Sequence, residues 1–364
     1  MKEIEQYDYD LPRELIAQDP LATRSDARMM VVERVTGRIE HLHIRDLPDV
    51  LDPKDAVVLN NSRVIPARLV GYRKQTGGRW QGLFLRADEQ SGVWEVLTKT
   101  RGTLKPSEVI TVQDRDARDG MELVVVARTE GGNLLVQPKL PDGFVPLEGE
   151  DRQALVEPVD WLNRYGRVPL PPYIRDGQMV DADTEHYQTV FAKHGGSVAA
   201  PTAGLHFTDA LLTRMSDLGV QVGEVTLHVG IGTFRPIQTE RLDQHRMHVE
   251  WGCLDEIACN LIREARDRGG RCLAVGTTTV RVLESAARTQ ADLQPWQGET
   301  DIFIRPPYEF AVTDGLLTNF HLPRSSLLVL VSAFATRDLM LEAYQKAIEQ
   351  EYRFYSYGDA MLIV

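Results

Sequence analysis

The sequence predicts an α/β protein whose main domain, built on a mixed or parallel sheet, is interrupted by a small inserted antiparallel β-barrel. Residues 64–150 show short apolar stretches separated by glycine-containing turns and almost no helical period, which is typical of small barrels. On both sides of them, strand-like runs alternate with helical patterns. The insert carries 12 basic and 12 acidic residues, so the rest of the chain carries the whole net charge of −12. We therefore expect a discontinuous α/β domain of residues 1–63 and 151–364 around a barrel at 64–150.

The first segment contains three predicted strands. A strand is predicted around residues 29–34, Thr36-Gly37 favours a turn, and residues 39–44 form the return strand. Ala56-Val57-Val58-Leu59 is a continuous apolar run, typical of a strand buried on both faces.

The insert is predicted to contain six short strands. They cover residues 67–72, 82–85, 94–97, 109–112, 123–127 and 134–137. Four turn signals separate most of them: Gly77-Gly78, Ser91-Gly92, Asp119-Gly120 and Gly131-Gly132.

After the insert, predicted strands alternate with helices. The strands are 221–228 and 271–275, and the helices are 254–265, 277–288, 325–335 and 339–350. The first helix is predicted from Leu254, Ile257, Ala258, Leu261, Ile262 and Ala265, which lie at helical spacing on one face. Because ligands on such sheets usually bind beyond the carboxyl ends of the strands, polar segments at those ends are the candidate sites.

Composition excludes several classes of protein. With 43% hydrophobic and 26% charged residues, the chain is globular rather than disordered or collagen-like. No apolar run reaches the roughly 18 residues of a membrane-spanning helix, and the acidic start MKEIEQYDYD does not fit a secretory signal, so we expect a cytoplasmic protein. Three cysteines without CxxC spacing, and histidines without HExxH spacing, predict no metal site.

The net charge of −12 opposes indiscriminate binding to polyanions, so any contact with nucleic acid must be local. Arginines outnumber lysines by 33 to 8, and arginine suits bidentate contacts with phosphate, although codon usage explains that ratio equally well.

Four polar segments follow predicted strands. The first, residues 198–208, contains Thr202, Gly204 and His206 and ends at Thr208, a plausible helix N-cap. It is either a ligand-binding loop or a capped turn whose histidine bonds to backbone. The second, residues 227–236, places His228 at a strand end before Gly230, Gly232 and Thr233. It lacks the third glycine of a dinucleotide fingerprint, and the alternatives are a tight turn and a backbone surface for a flat base or ribose.

The third segment, residues 274–284, runs from a strand into a helix that starts with Thr277, Thr278 and Thr279. A helix start with free N–H groups and hydroxyls suits a carboxylate or phosphate. Arg281 and Glu284 follow one turn apart, where an ordinary surface pair is as plausible as a functional one. The fourth segment, residues 300–325, contains Asn319 and His321 beside an apolar helix; such a histidine is more often a core residue than a catalyst. The chain lacks a P-loop motif and a GxSxG elbow.

Together, these segments resemble one family, the S-adenosylmethionine:tRNA ribosyltransferase-isomerases of queuosine biosynthesis. The likeness spans nearly the full chain, and its motifs are YDYDLPRELIAQ (7–18), VIPARL (64–69), PTAGLHFT (201–208), HVGIGTFRP (228–236), LTNFHLP (317–323) and YGDAM (357–361). The chain departs from the family pattern at Asn61-Ser62, where Asp-Thr is common, and at Arg305-Pro306-Pro307, where Tyr-Pro-Gly is common. The family's α/β body with an inserted barrel agrees with the division drawn above.

The resemblance implies a reaction. The ribosyl part of S-adenosylmethionine passes to the aminomethyl group of 7-aminomethyl-7-deazaguanine at the tRNA wobble position and becomes an epoxycyclopentanediol, while adenine and methionine depart. S-adenosylmethionine is then a consumed substrate, and no further cofactor is expected. The reaction needs a base and later a proton donor, for which imidazole is suited near pH 7.

From this reaction we assign site residues as hypotheses. His206 or His228 transfers the protons. Substrate contacts are expected from Thr202, Gly204, Gly230, Gly232, Thr233, Thr277, Thr278, Thr279, Arg281, Glu284, Asn319 and His321. Within that set, the helix start at Thr277–Thr279 would hold the methionine carboxylate, and Gly230 and Gly232 would flank the adenosine. For tRNA we expect local contacts from Arg24, Arg28, Arg63 and Arg68, although isolated surface arginines are usually only solvated.

The partners implied are the modified tRNA and S-adenosylmethionine, with no membrane and a monomeric protein. Two competing functions are a tRNA methyltransferase that uses the same sulfonium compound and a non-catalytic RNA-binding protein. The chain lacks the early glycine-rich strand-to-helix turn of Rossmann-type methyltransferases, and its polar strand ends argue against a mere binder.

Overall fold

The computed structural model describes residues 2–140, 157–230, 237, 239–288 and 293–364. Contacts divide the chain into two compact units, Met1–Val64 with Pro171–Val364, and Ile65–Leu170. The second unit begins one residue after the predicted start of the insert at residue 64, but it also includes residues 157–170, beyond the predicted end at residue 150. That end lies outside the described residues, and the boundary stays a prediction.

The strands and helices of the described residues are as follows. The strands are β1 (Arg28–Val32), β2 (Ile39–His43), β3 (Ala56–Asn60), β4 (Ser62–Val64), β5 (Arg68–Arg73), β6 (Arg79–Ala87), β7 (Trp94–Thr100), β8 (Val109–Gln113), β9 (Asp119–Arg128), β10 (Leu134–Lys139), β11 (His194–Ser197), β12 (Gln221–Leu227), β13 (Glu250–Leu254), β14 (Cys272–Val275), β15 (Trp296–Thr300), β16 (Gly315–Asn319) and β17 (Ala360–Ile363). The helices are α1 (Leu47–Val50), α2 (Pro158–Tyr165), α3 (Asp183–His186), α4 (Asp209–Asp217), α5 (Glu256–Asp267), α6 (Thr277–Arg288), α7 (Ser326–Phe334) and α8 (Arg337–Glu349).

The first unit is built on a mixed sheet of nine described strands in the order β15-β13-β12-β3-β14-β16-β17-β1-β2. The four central strands β12, β3, β14 and β16 are parallel to their neighbours in this group, so their carboxyl ends meet at one edge. β17 returns antiparallel to β16, which brings the residues before β17 to that same edge. The edge is therefore where loops from distant parts of the sequence meet.

Both faces of the central sheet are covered, which explains the continuous apolar run at β3. Val58 packs in one core with Leu283 of α6, whereas Val57 and Leu59 pack in the other with Leu211 of α4. All five residues of β3 are buried. A strand with helices on both sides has no solvent face, so its side chains do not alternate.

The second unit contains a closed antiparallel barrel in the order β10-β7-β6-β5-β8-β9. All six predicted strands are present. Its interior holds Trp80, which is fully buried. A Cβ on Gly82 would lie 2.2 Å from the Trp80 ring, so this strand position needs glycine to leave room for the indole. With this barrel and the mixed sheet, the predicted fold class is confirmed.

Two local predictions are wrong. Leu254 belongs to the end of β13 rather than to a helix, because Asp255 caps α5 by accepting a hydrogen bond from the Ala258 N–H at 2.8 Å. Ile257 is 76% exposed, so the apolar face of α5 is narrower than the pattern indicated. The first polar segment is predicted to begin in an apolar strand, but residues 198–200 form no strand; the short strand β11 precedes them and pairs with β4.

The predicted cap of α4 is present. Thr208 caps α4, as predicted, with its hydroxyl oxygen 3.2 Å from the Leu211 nitrogen. None of the described helices has the length and apolar character needed to cross a membrane.

Candidate active site

A cleft opens at the edge of the sheet where β12, β14 and β16 end. Its lining includes Val229 after β12, Gly276 after β14 and Asn319 at the end of β16. Residues 201–203 and the 355–356 segment before β17 complete it, and its cavity volume is about 100 Å³. This volume is smaller than the roughly 300–1,000 Å³ of ordinary ligand pockets, so the cleft is narrow. Parts of all four polar segments thus line one cleft.

The start of α6 forms one wall of this cleft. Gly276 has a φ of +87°, a conformation that favours glycine, and its N–H donates to the Leu317 carbonyl. Thr277 and Thr278 line the cleft, and the buried Thr278 hydroxyl has no partner within the described part of the chain. Thr279 differs, because its hydroxyl donates to the Val275 carbonyl at 2.7 Å. This hydroxyl is therefore engaged within the turn, and the contact of Thr279 with substrate stays a prediction.

A short hydrogen-bond chain orders another part of the cleft lining. The Thr202 hydroxyl donates to the Asn319 side-chain oxygen at 2.8 Å, and the Asn319 amide nitrogen donates to the Tyr355 carbonyl at 3.1 Å. These bonds set the orientation of the Asn319 amide. Both predicted side chains line the cleft, together with polar groups from Tyr355.

His321 also lines the cleft and is 8% exposed. Its Nε2 lies 2.9 Å from the Thr318 hydroxyl oxygen, and burial lowers its pKa to about 3. The imidazole is therefore neutral near pH 7. Burial also raises the pKa of Tyr173, another lining residue, to about 12. Among the described residues that line the cleft there is no Asp, Glu, Lys or Arg, so the cleft binds by shape and by uncharged hydrogen-bonding groups.

His206 is held by backbone on both sides of its ring. Nδ1 lies 3.1 Å from the Ala203 carbonyl oxygen and Nε2 lies 2.8 Å from the Gly358 carbonyl oxygen. Burial lowers its pKa, which the two carbonyls partly offset. With both nitrogens facing acceptors and the ring buried outside the cleft lining, the geometry argues against His206 as the base and favours the alternative of a backbone-bonded histidine. Gly204 is likewise a packing position, where a Cβ would lie 2.7 Å from the Phe191 ring.

His228 retains an unengaged ring nitrogen. Its ring stacks on Trp251 with centroids 5.4 Å apart, and its buried Nδ1 has no partner in the described ranges. Burial lowers its pKa, and the charge of the neighbouring His194 lowers it further. His228 does not itself line the cleft, but the adjacent Val229 does. Of the two predicted proton-transfer histidines, His228 has the more suitable geometry.

A buried ion pair supports the loop after β12. Arg281 of α6, which is 4% exposed, pairs with Glu250 of β13, and Glu250 also accepts a hydrogen bond from the Gly230 N–H at 2.9 Å. Arg281 thus acts on this loop through Glu250 and is not among the residues lining the cleft. Gly232 and Thr233 lie outside the described residues.

Glu284 is a carboxylate engaged within the fold, and its contact with substrate stays a prediction. It is 1% exposed and accepts hydrogen bonds from the N–H groups of Ala311, Val312 and Thr313 and from the Thr313 hydroxyl at 2.9–3.2 Å. It therefore pins the loop before β16 rather than facing a ligand.

The four arginines predicted for tRNA are in different environments. Arg24 donates to the Gln188 and Glu185 carbonyls at 2.7 and 2.9 Å. Arg28 donates to the Gln350 carbonyl at 2.7 Å and lies 3.7 Å over the Tyr352 ring. Arg68 belongs to the second unit and lies 3.3 Å from the Gln81 side-chain oxygen. Arg63 is exposed and has no ion-pair partner in the described part of the chain.

Two departures from the family pattern have defined surroundings. Asn61 donates to Glu224 at 3.0 Å and accepts from the Thr226 hydroxyl at 2.7 Å. The Pro306-Pro307 peptide bond, which follows Arg305, is cis. The described residues contain no cluster of three His, Cys, Asp or Glu that could hold a metal ion.

Sequence reasoning missed part of the cleft. The missed lining residues include Tyr173, Tyr187, Gly276, Thr318, Tyr355 and Ser356. Tyr355 and Ser356 directly precede the YGDAM motif, and Gly276 directly precedes Thr277–Thr279. These residues could therefore have been predicted from the motifs that they adjoin. Tyr173 and Tyr187 lie in a stretch without a motif, and only the tertiary fold brings them in.

Comparison with known proteins agrees with this arrangement. The family model described as "Queuosine biosynthesis protein" matches residues 4–363. The chain belongs to this family. Relatives named S-adenosylmethionine:tRNA ribosyltransferase-isomerase include those of Natranaerobius thermophilus, 46% identical over 360 residues with 99% of each chain covered, and Staphylococcus saprophyticus, 43% identical over 362 residues with 100% of each covered.

A solved structure supports the fold assignment for this queuosine biosynthesis protein. The crystal structure of S-adenosylmethionine tRNA ribosyltransferase from Thermotoga maritima is 35% identical, with a TM-score of 0.54 over 99% of this chain and 100% of that one. The resemblance drawn from the sequence motifs is therefore confirmed.

Proposed function

We propose that this queuosine biosynthesis protein transfers and isomerises the ribosyl moiety of S-adenosylmethionine onto 7-aminomethyl-7-deazaguanine at the tRNA wobble position. The products are epoxyqueuosine-tRNA, adenine and methionine. The observation that carries the proposal is the cleft at the sheet edge, formed by the motif segments that characterise the chain's family. S-adenosylmethionine is a consumed substrate, no further cofactor takes part, and the protein acts as a cytoplasmic monomer.

In this proposal the methionine end of the substrate binds at the start of α6. The first N–H groups of a helix have no partner within the helix, and the partial positive charge there favours a carboxylate. The unpaired Thr278 hydroxyl adds a further donor at the same place. The neutral His321 and the oriented Asn319 amide supply hydrogen-bonding groups for the adenosine, and Gly230, which directly follows the lining residue Val229, flanks it.

Proton transfer is assigned to His228. Removal of a proton next to the sulfonium needs a neutral imidazole, and burial together with His194 lowers the pKa of His228 and so favours the neutral form. Its position directly before Val229 places it next to the cleft. The lowered pKa of about 3 makes His321 a poor base and a better neutral hydrogen-bonding group.

A product assay tests the function. The protein is incubated with S-adenosylmethionine and tRNA that carries the aminomethyl-deazaguanine, and small molecules and digested nucleosides are separated by chromatography with mass detection. Release of adenine and methionine together with epoxyqueuosine supports the proposal. Formation of S-adenosylhomocysteine would indicate a methyltransferase, and an unchanged substrate would indicate an RNA-binding protein; either result would overturn it.

A further inference from the structure

An aromatic surface lies beside the cleft, on the outer part of the sheet. Trp251 of β13 is 41% exposed, although one side of it stacks on His228 at an interplanar angle of 20°. The imidazole thus holds the indole in a fixed orientation while much of the ring stays open to solvent. In the neighbouring strand β15, Glu299 is the cross-strand partner of Trp251.

The backbone of the glycine-containing strand β11 lies close to the His228 ring. Gly195 and Gly196 of β11 are exposed and have no side chains. Gly196 has a φ of +141°, and a Cβ there would lie 3.0 Å from His228 Nε2 and Cε1. Bare backbone of Gly196 therefore lies directly beside the His228 ring, and neither Gly195 nor Gly196 places a side chain in the way of a flat group approaching the surface.

An exposed arginine lies on strand β4, which pairs with β11. Arg63 of β4 is paired in register with Gly195 and is exposed, with no ion-pair partner in the described residues. Lys193, by contrast, is bound to Glu224 at 2.7 and 2.8 Å. Since Arg24 and Arg28 bind backbone carbonyls, Arg63 is the predicted tRNA-contacting arginine of the first unit whose guanidinium is available.

We propose that this surface, formed by Trp251, His228, Gly195, Gly196 and Arg63, binds one unpaired nucleotide of the anticodon loop. Its base stacks on Trp251 and its phosphate contacts Arg63. Aromatic rings with a nearby cation are the usual means of holding single-stranded bases, and a protein of net charge −12 needs such local contacts to bind RNA. The proposal rests on the proposed function and adds where the RNA, rather than the sulfonium substrate, is held.

Binding of an anticodon stem-loop tests the proposal independently of catalysis. Fluorescence anisotropy is measured with a labelled synthetic stem-loop and the full chain, without S-adenosylmethionine. We expect Trp251→Leu to raise the Kd about 5- to 150-fold, the range for loss of one base stack, and Trp251→Phe to keep most of the affinity because it keeps an aromatic face. Ile257→Ala, which shortens another exposed apolar side chain of the same unit, serves as the matched control and should leave the Kd unchanged.

The salt dependence tests the cation. Arg63→Gln should reduce the slope of log Kd against log salt by roughly 0.7–0.9, the value for one phosphate contact. The stacking proposal is overturned if Trp251→Leu binds the stem-loop as tightly as the unsubstituted protein does. It is also overturned if Trp251→Phe loses as much affinity as Trp251→Leu. In either case, adenine release by the unsubstituted protein would still support the proposed function. If the slope of log Kd against log salt is unchanged in Arg63→Gln, Arg63 does not contact a phosphate and is not part of the proposed RNA-binding surface. Circular dichroism of each variant separates loss of binding from loss of folding.

Discussion

His228 stacks on Trp251 with ring centroids 5.4 Å apart. Its environment differs from that of His206, whose two ring nitrogens both face backbone carbonyls. One histidine keeps a nitrogen free beside the cleft, while the other is locked into the loop that forms it. The two residues were equivalent candidates in the sequence, and their surroundings give them different consequences when substituted.

Replacement of each histidine should therefore have a different effect. We expect His228→Ala to lower the single-turnover rate of adenine release by about 10²- to 10⁴-fold, as loss of a general base does. His206→Ala should instead lower the free energy of unfolding by about 1–3 kcal/mol, because backbone carbonyls lose their donor, and leave the rate of the folded protein within a few-fold. Rapid-quench kinetics and urea unfolding measure the two effects. A normal rate for His228→Ala would remove its assignment.

The charge of His194 should shift the pH profile. Burial and then His194 lower the pKa of His228, so the neutral base persists below the ordinary histidine range and the rate falls only as pH drops through that lowered pKa. His194→Asn removes one of these causes, so the pKa of His228 rises and the acid limb of the profile moves to higher pH. Single-turnover rates from pH 5 to 8 check this, with the exposed His186→Asn as control. An acid limb that stays in place or moves to lower pH contradicts the assignment.

Thr278 and Thr279 form a matched pair on α6. Thr278→Val removes the unpaired hydroxyl at the cleft and should raise the KM for S-adenosylmethionine about 2- to 12-fold, the equivalent of one hydrogen bond, without changing the affinity for the anticodon stem-loop. Thr279→Val removes a hydroxyl bonded to Val275 and should lower the free energy of unfolding by about 1 kcal/mol with little change in KM. Steady-state kinetics and urea unfolding distinguish them. Equal KM values for the two variants would exclude Thr278 from the substrate site.

His321 should make stability depend on pH. Its pKa is about 3 in the folded protein and near 6.5 when exposed on unfolding, so the unfolded state binds the proton more readily. The stabilisation by His321 is complete when the pH is above the pKa of this residue in the unfolded state. It is lost as the pH falls toward the pKa of the residue in the folded protein. Between pH 7 and 5 we expect a loss of about 2 kcal/mol from this residue. Urea unfolding at both pH values checks it, and His321→Gln should flatten this part of the dependence. The same slope in both proteins would contradict the burial of a neutral imidazole.

Glu284 should matter for folding rather than for substrate binding. Glu284→Gln puts an amide nitrogen among donors that now bond to a carboxylate, and we expect the free energy of unfolding to fall by at least about 2 kcal/mol. The KM for S-adenosylmethionine should stay the same for the folded fraction. Glu264→Gln, at an exposed position of α5, provides the control for loss of a carboxylate. A raised KM with unchanged stability would return Glu284 to the substrate site.

Local pattern predicted much of the fold because the forces that set it are local. Alternation and glycine turns predicted every barrel strand, and the apolar run at β3 predicted a strand covered on both faces. The prediction was wrong at Leu254, where a residue that fits the helical period ends a strand, because the Asp255 cap determines where α5 begins. Apolar spacing reports which side chains are buried and not where a capping side chain ends the preceding strand.

The sequence by itself determined the family, the α/β body with its inserted barrel, and the four polar segments at strand ends. Only the tertiary structure decided which of their residues face the cleft. Thr278 and Thr279 are neighbours with the same side chain, and Glu284 and His206 are as polar as the residues beside the ligand space. Whether each group faces the cleft or is satisfied within the fold depends on partners that are distant in the chain, such as Gly358 for His206 and Thr313 for Glu284. No local pattern encodes these partners. A buried polar group needs hydrogen-bond partners, and only the complete fold brings those partners to it.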